Sequence, residues 1–411
     1  MIARIVAFLI WPFISLIVAI RSFNLKSSRI IIIMFLGFYG FSIVASSMGA
    51  DIYRLKSFFE NSSNTTFNDY WAFLISYGGF EGTTDIILQS ISFVVSRFVD
   101  DYRFFFLVLA LLLGAYYIKS AHLVFKSALK RKATGIQILF IFFLFVIPIF
   151  EINRFRFFTA ALIYFTIIYD YFVNNNTKGV VFKLLLAPLL HFTFIAPYLL
   201  FLFYRVNLKI SYFYLILFIL SFIYSNLVLN FLPDFNLPGF LGNTFTERFE
   251  GYTNLDYIAG AKEAAGNNKF IIRIHLSFPY YLLSTALIAV WFRIKSIRTQ
   301  LNPNILNLLS FYFLISTFTN IMLPIVEGER FYSLSFLFGL SALIYTLAEL
   351  KLAFSKIFVN SVTIILFIPF FLFCLVRLRQ GLELTDPMIF ISNPVAAYFL
   401  EQKESIISLI K

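Results

Sequence analysis

The chain is short of charge. Only 13% of its 411 residues are Asp, Glu, Lys or Arg, while 60% are hydrophobic and the mean hydropathy is +0.85. An ordinary soluble domain carries roughly 25% charged residues. Without them a fold of this length cannot be given a polar surface, which excludes a soluble enzyme, a nucleic-acid-binding module and a disordered chain. Cysteine occurs once, as Cys374 inside an apolar run, which excludes an intrachain disulfide. Histidine occurs three times, and no Cys/His cluster has metal-ligand spacing. Walker, HExxH and GxSxG motifs are absent, as is a DxD-type pair in an outer loop, so no metal or other cofactor is expected.

What the chain has instead is apolar length. Phe alone fills 57 positions. Runs close to the roughly 20 residues needed to cross a ~30 Å hydrocarbon layer fall at 5–20, 30–49, 103–118, 135–150, 157–173, 181–204, 211–232, 272–292, 305–326, 331–348 and 357–376. The expected fold is an all-α, polytopic integral membrane protein forming one domain over 1–411, with about eleven or twelve crossings including broken half-helices. The run 5–20 lacks a small-residue cleavage site and continues into Arg21, Lys26 and Arg29, so it is expected to be a span and not a cleaved signal.

Charge orients these runs. Six basic clusters, around Arg21–Arg29, Lys119–Lys132, Lys178–Lys183, Arg205–Lys209, Arg293–Arg298 and Lys351–Lys356, hold about half of the 33 basic residues. Only Asp170 and Glu349 of the 21 acidic residues lie near them. The positive-inside rule places all six in the cytoplasm, and this accounts for the net charge of +12 without nucleic acid. The run 181–204 then has both ends on the same side. It is expected to enter and return as two half-helices, broken near Pro188 and Pro197, with His191 at the tip. An ordinary single span that violates the charge rule is the alternative. Two longer segments, 51–102 and 233–271, are expected outside the cytoplasm, and 86–99 is apolar enough to lie flat on the membrane.

Helices entering from the outside after the first begin with arginine: Arg103, Arg154 with Arg156, Arg273, and Arg330. A helix N-terminus already carries about +0.5 charge, so a cation there calls for an anionic partner. Phosphate fits both the free backbone N–H groups and the guanidinium fork. Interfacial anchoring, with nearby acids as partners, is the better account of Arg103 and Arg273. Arg154, Arg156 and Arg330 are the candidates for an anion site, although Arg154 and Arg156, two apart, should point to different sides. His191, an ionisable group in an apolar run, could donate to phosphate or act as a general acid or base; simple hydrogen bonding to a neighbouring helix is the alternative. In the outer segments, Asp51, Tyr53, Glu81 and Asp85, and the stretch from Arg248 to Tyr252, have the chemistry for sugar contact and for deprotonating a hydroxyl, though loop acids are more often plain solvated residues.

Arg154-Phe155-Arg156 opening a span, a short turn with Lys178, and then Ala187-x-x-x-His191-x-Thr193 resemble the EpsG family, which is similar to Wzy-type O-antigen and exopolysaccharide polymerases. Gly49-Ala50-Asp51 and Arg330-Phe331 fit further family features, whereas the family's frequent Arg-Gln helix start is here Arg154-Phe155, leaving open which arginine matches. The resemblance implies a GT-C-like membrane glycosyltransferase in a bacterial inner membrane. It would join repeat units carried on undecaprenyl diphosphate, with a chain-length regulator as a possible partner. Arg154, Arg156 and Arg330 would hold the diphosphate, His191, Asp51 or Glu81 would serve catalysis, and Tyr53, Arg248 and Tyr252 would contact sugar. A flippase of lipid-linked oligosaccharide and an O-antigen ligase are the alternatives.

Overall fold

The computed structural model describes residues 1–45, 51–78, 86–148, 151–207, 211–231, 273–296, 302–325, 327–351, 353–400 and 404–410. Among these the regular structure is helical, apart from one isolated antiparallel bridge between Ile43 and Thr385. Helices satisfy their own backbone groups, as a chain poor in polar side chains requires in hydrocarbon. In order they are α1 (Ile2–Ile10), α2 (Pro12–Arg21), α3 (Lys26–Phe41), α4 (Asp51–Ser62), α5 (Phe67–Gly78), α6 (Ile86–Ser96), α7 (Tyr102–Ala128), α8 (Thr134–Val146), α9 (Phe155–Asn174), α10 (Val180–Leu184), α11 (Leu186–Leu190), α12 (Ile195–Val206), α13 (Ser211–Phe231), α14 (Phe278–Ser296), α15 (Pro303–Met322), α16 (Phe331–Glu349) and α17 (Lys356–Leu382). Two short helices, α18 (Pro394–Phe399) and α19 (Ile406–Ile410), follow.

Among the described residues six helical segments are long and apolar enough to cross a membrane: α7, α9, α14 with the turn before it, α15, α16 with the turn before it, and α17. The run 211–232 forms α13, continuous over 21 residues, and the other expected crossings are shorter or broken among the described residues. From Phe331 to Ala348 every side chain of α16 is buried, so this helix is the axis of the bundle. It packs against α7, α8, α9, α14 and α15.

Side-chain pairs sort the helix ends into two groups. At one end Arg4 binds Ser27 and Ser28, Arg29 meets His122 at 3.3 Å, and Lys130 pairs with Glu349. There Arg131 also donates to the carbonyls of Leu347 (2.9 Å) and Phe354 (2.8 Å). At the other end Tyr39 meets Thr385, Glu151 meets Arg377, and Ser277 meets Tyr332. Arg103 pairs there with Asp101 at 2.6 Å and donates to the carbonyls of Ala397 and Tyr398. The described members of the basic clusters gather at the first end, which the charge rule orients toward the cytoplasm.

The stretch 180–206 is broken as a pair of half-helices would be. His191 is extended (φ −151°, ψ 112°) between α11 and a turn of 3-10 helix at Phe192–Phe194. Both α10 and α11 pack on α9, and α12 then runs back, packing on α15 and touching α9 through single side chains. The ring of Phe157 touches His191, Tyr164 donates to the Pro197 carbonyl (2.6 Å), and Phe172 touches Tyr204. The ladder ends at the level of Asn174, where the excursion began, so the hairpin enters and leaves at the same end of the bundle.

The segment 5–20 corrects an expectation. It is not a continuous span. Trp11 (φ −146°, ψ 89°) interrupts it and Pro12 starts a new helix. Arg4 near one terminus and Ser22 at the other both bond Ser28, so α1 and α2 form a second returning hairpin. The physical reason is local: proline has no N–H to continue a helix and disfavours α geometry in the residue before it.

Close helix approach relies on small residues. A Cβ on Gly40 of α3 would lie 2.4 Å from the Ala110 Cβ and 2.5 Å from the Phe106 carbonyl oxygen of α7. Gly40→Val should therefore cost about 1–3 kcal/mol by overpacking, visible as a lowered Tm of the detergent-solubilised chain. For topology, with Cys374→Ser as background, Lys178→Cys and Asn207→Cys should both react with an impermeant maleimide added from the cytoplasmic side. Labelling of the two from opposite sides would show a single crossing in place of the hairpin.

Candidate functional site

The outer group of ends holds a cluster built on one turn. Residues Glu151–Arg154 form a 3-10 turn that leads into α9, and the Glu151 N–H donates to the Pro148 carbonyl at 3.1 Å. The Glu151 carboxylate accepts from Arg377 Nη1 of α17 at 2.5 Å, with the two side chains only 8% and 6% exposed. The guanidinium lies over the rings of Phe158 and Phe373. Its Nη1 also reaches Gln380 Oε1 at 3.3 Å and its Nη2 the Ser333 hydroxyl at 3.5 Å. Among the described residues Arg377 Nε is buried without a hydrogen-bond acceptor. The pair thus ties the 151–154 turn to α17 and α16.

Arg154 ends the turn and is half-buried, whereas Arg156 is exposed, as expected for residues two apart at a helix start. Arg154 and Glu329 lie within electrostatic reach of Arg377. Arg330 sits on a tight turn at Gly328–Arg330. The turn is entered through Glu327 in the left-handed region (φ 61°), and a Cβ on Gly328 would lie 1.7 Å from the Met322 carbonyl oxygen, so only glycine fits there. Arg330 Nη2 pairs with Glu327 Oε1 at 2.5 Å. That is the nearby-acid partner foreseen in the anchoring account of such arginines.

His191 is buried at the hairpin tip. Its Nδ1 lies 2.7 Å from the Thr193 hydroxyl, and its ring is stacked on Phe192 and meets the edge of Phe157. Phe157 also contacts Phe194 (5.3 Å) and Phe331 (5.2 Å) between ring centroids. Phe157 follows Arg156 in sequence and Phe331 follows Arg330. One aromatic cluster therefore gathers backbone positions 156, 191 and 330 from three separate elements. Asp51 opens α4, the helix that carries half-buried Tyr53 and packs against the 151–154 turn.

Glu81, Arg248 and Tyr252 lie outside the described residues, as does all of 233–271. In the segment 51–102 the described parts are helical. The stretch expected to lie flat on the membrane forms α6, which buries Leu88, Ser92, Phe93 and Ser96 against α4 and α7. Arg103 is an anchor: besides Asp101 and the carbonyls of α18, it lies over the rings of Phe41 and Tyr398. His122 is remote from this site, at the opposite end beside Arg29.

Sequence reasoning missed Arg377. It follows the last residue of an apolar run, and a charge set against hydrocarbon is a site candidate by default. It also read Glu151 as the neighbour of Arg154, whereas the carboxylate turns to α17. No family model matches the chain, and neither a curated protein nor a solved structure matches it.

Removing one partner of a buried ion pair strands the other, at a cost of about 3–5 kcal/mol, while replacing both by apolar groups is often far less costly. Glu151→Leu and Arg377→Leu should each lower the Tm sharply, and the double variant should recover much of the loss. Additive losses in thermal unfolding would mean that the two side chains act independently.

Proposed function

We propose that this chain is a membrane glycosyltransferase that polymerises lipid-linked oligosaccharide repeat units at the outer face of a bacterial inner membrane. The donor is a glycan on undecaprenyl diphosphate, and the growing chain passes from one carrier to the hydroxyl of the next unit. The observation that supports this reading is the meeting of positions 154–156, 191 and 330 at one end of the bundle, opposite the basic clusters.

A diphosphate leaving group gathers negative charge as its bond to sugar breaks, and catalysis requires donors aimed at that charge. Two sources of positive potential lie here. Helices α9 and α16 both start at this end, and each N-terminus carries about +0.5 charge. Arg154 and Arg330 are their N-cap residues, and Arg156 lies in the first turn of α9. In the Arg330–Glu327 pair the carboxylate side is open to solvent, Glu327 being 43% exposed and Arg330 16%, so a diphosphate arriving from that side can compete for the guanidinium with a bidentate grip. In this scheme His191, held by Thr193, donates a proton to a phosphate oxygen or relays one from the acceptor, and Asp51, on the helix packed against the 151–154 turn, is a base for the acceptor hydroxyl.

Arg154→Ala, Arg156→Ala and Arg330→Ala, made singly, should each reduce long-chain polysaccharide by about 100-fold or more, the scale for losing one preorganised transition-state donor. Single-unit lipid-linked glycan should persist on the outer side, read by a glycan gel and lipid extraction. Normal chain length in all three would remove the site. Glycan stranded on the cytoplasmic side would indicate a flippase, and finished lipid-linked polymer absent from the cell surface would indicate a ligase.

A further inference from the structure

Helices α4, α5 and α6 enclose a cleft of about 230 Å³. Bonds that cross between these elements fix its frame. Ser92 of α6 donates to the Ser62 hydroxyl at the end of α4 (2.8 Å), and Arg97 Nη2 donates to the Ser62 (2.7 Å) and Ser63 (3.1 Å) carbonyls. Tyr70 of α5 donates its phenol proton to Ser90 of α6 (2.8 Å), and its ring stacks on Phe93 at 4.2 Å and 5°. A frame held this way is preorganised, so little side-chain freedom is lost when a ligand enters.

Polar groups line the cleft beside these rings. Asp69 Oδ2 accepts from the Thr66 N–H (3.0 Å) and hydroxyl (2.6 Å) at the start of α5, and these bonds hold its carboxyl below the usual range, ionised. Among the described residues Asp69 Oδ1, the Asn61 amide and the Thr65 hydroxyl make no hydrogen bond within the chain. All three residues line the cleft. Together they offer one charged acceptor, one amide that both donates and accepts, and one hydroxyl.

This set discriminates among ligands. A phosphate or carboxylate would face the Asp69 charge, and Arg97 is engaged with two carbonyls and with the Phe93 ring (4.7 Å). A quaternary ammonium is recognised by a cage of open ring faces, whereas Phe93 already carries Tyr70 and Arg97. A neutral sugar ring needs one aromatic face against its C–H groups, which meet the negative face of the ring, and polar groups at its edge for the hydroxyls. Tyr70 and Phe73, with centroids 6.4 Å apart and planes at 32°, border the cleft on the α5 side. Sites for drug-sized ligands run to about 300–1,000 Å³, so this smaller cleft suits a single ring.

We propose that the cleft binds one neutral pyranose, with Tyr70 as its platform and Asn61, Thr65 and Asp69 as hydrogen-bond partners of its hydroxyls. That the pyranose belongs to a lipid-linked glycan rests on the function proposed above; the binding itself does not. Helix α4 packs against the 151–154 turn, and α6 packs against α11, which leads to His191. A sugar held here is tied through two helices to both sides of the anion site.

The test is saturation-transfer NMR on the full chain in nanodiscs. The probes are the methyl pyranosides of glucose, galactose, mannose, N-acetylglucosamine and N-acetylgalactosamine, with glucuronate and choline as charged counterparts. At least one methyl pyranoside should bind, more tightly than glucuronate or choline, with its ring C–H protons most strongly saturated. Asp69→Asn should weaken that binding about tenfold or more, the scale for one hydrogen bond to a charged group, and Asn61→Ala severalfold. Tyr70→Leu should abolish it; if that variant fails to fold, the two polar variants, both at exposed positions, decide. Binding of none of the pyranosides, tighter binding of glucuronate or choline, or undiminished binding in folded Asn61→Ala and Asp69→Asn overturns the site. The polysaccharide phenotype of the arginine variants is a separate readout: normal chain length there, with pyranoside binding intact, removes the polymerase reading and leaves the cleft a sugar site.

Discussion

The outer end of this protein depends on one buried ion pair. Glu151 and Arg377 meet where helices α8, α9, α16 and α17 end or begin, and neither side chain has appreciable contact with solvent. Taking two charges out of water costs several kcal/mol per ion, and their attraction offsets this only when geometry and further hydrogen bonds are good. Gln380 and Ser333 supply such contacts, and Phe158 and Phe373 offer ring faces to the cation. An apolar replacement could be at least as stable, so stability alone does not account for the pair. What the pair provides is position: it holds a four-residue turn against the bundle and so fixes where Arg154 stands.

The two hairpins follow from a similar trade between length and polarity. A half-helix of 10–12 residues covers only about 15–18 Å, too little to cross a bilayer, so its open end needs protein around it. At the tip of the second hairpin the extended residue is His191, surrounded by Phe157, Phe192 and Phe194. Its backbone is not abandoned there: the His191 N–H donates to the Ala187 carbonyl and its own carbonyl accepts from Phe194 N–H. At the tip of the first hairpin Trp11 has its N–H bonded to the Ala7 carbonyl and its indole to Phe390. Each break in the helix therefore brings an aromatic or ionisable group to a defined depth.

Much of this was legible in the sequence, and the gaps have physical causes. Apolar length marked the long helices, because a bilayer imposes a minimum that soluble cores do not. Charge asymmetry exposed the hairpin at 181–204, since Lys178, Lys183, Arg205 and Lys209 place a constraint on both of its ends. The hairpin at 1–21 was less legible: Arg4 and Arg21 lie at its two ends, and Pro12 was the one local sign of the break between them. Arg377 was hidden for another reason. Its partner lies 226 positions away, and pairing across such a distance leaves no periodicity or motif in a single chain. The convergence on Phe157 and Phe331 was hidden likewise, because phenylalanine is so common here that two more carry no signal. The tight turn at Gly328 did leave a trace, a lone glycine between two glutamates, but the demand it meets, the Met322 carbonyl at its back, is tertiary.

The charges at this end are unevenly shared. Glu151 and Glu329, with Arg154, lie within electrostatic reach of Arg377, and Glu327 pairs with Arg330. The carboxylates are not spread evenly among them. Glu151 is committed to the deepest guanidinium, and Glu327 to one that lies nearer water. Because Coulomb energies grow as the effective dielectric falls, the inner pair is the hardest to exchange and the outer pair the easiest. The two pairs therefore differ in kind: Arg377 is a buried, neutralised foundation for the 151–154 turn, and Arg330 is held at the start of α16 by a carboxylate that is itself 43% exposed. The glycine-specific turn at Gly328 fixes where Arg330 stands, as the buried pair fixes Arg154.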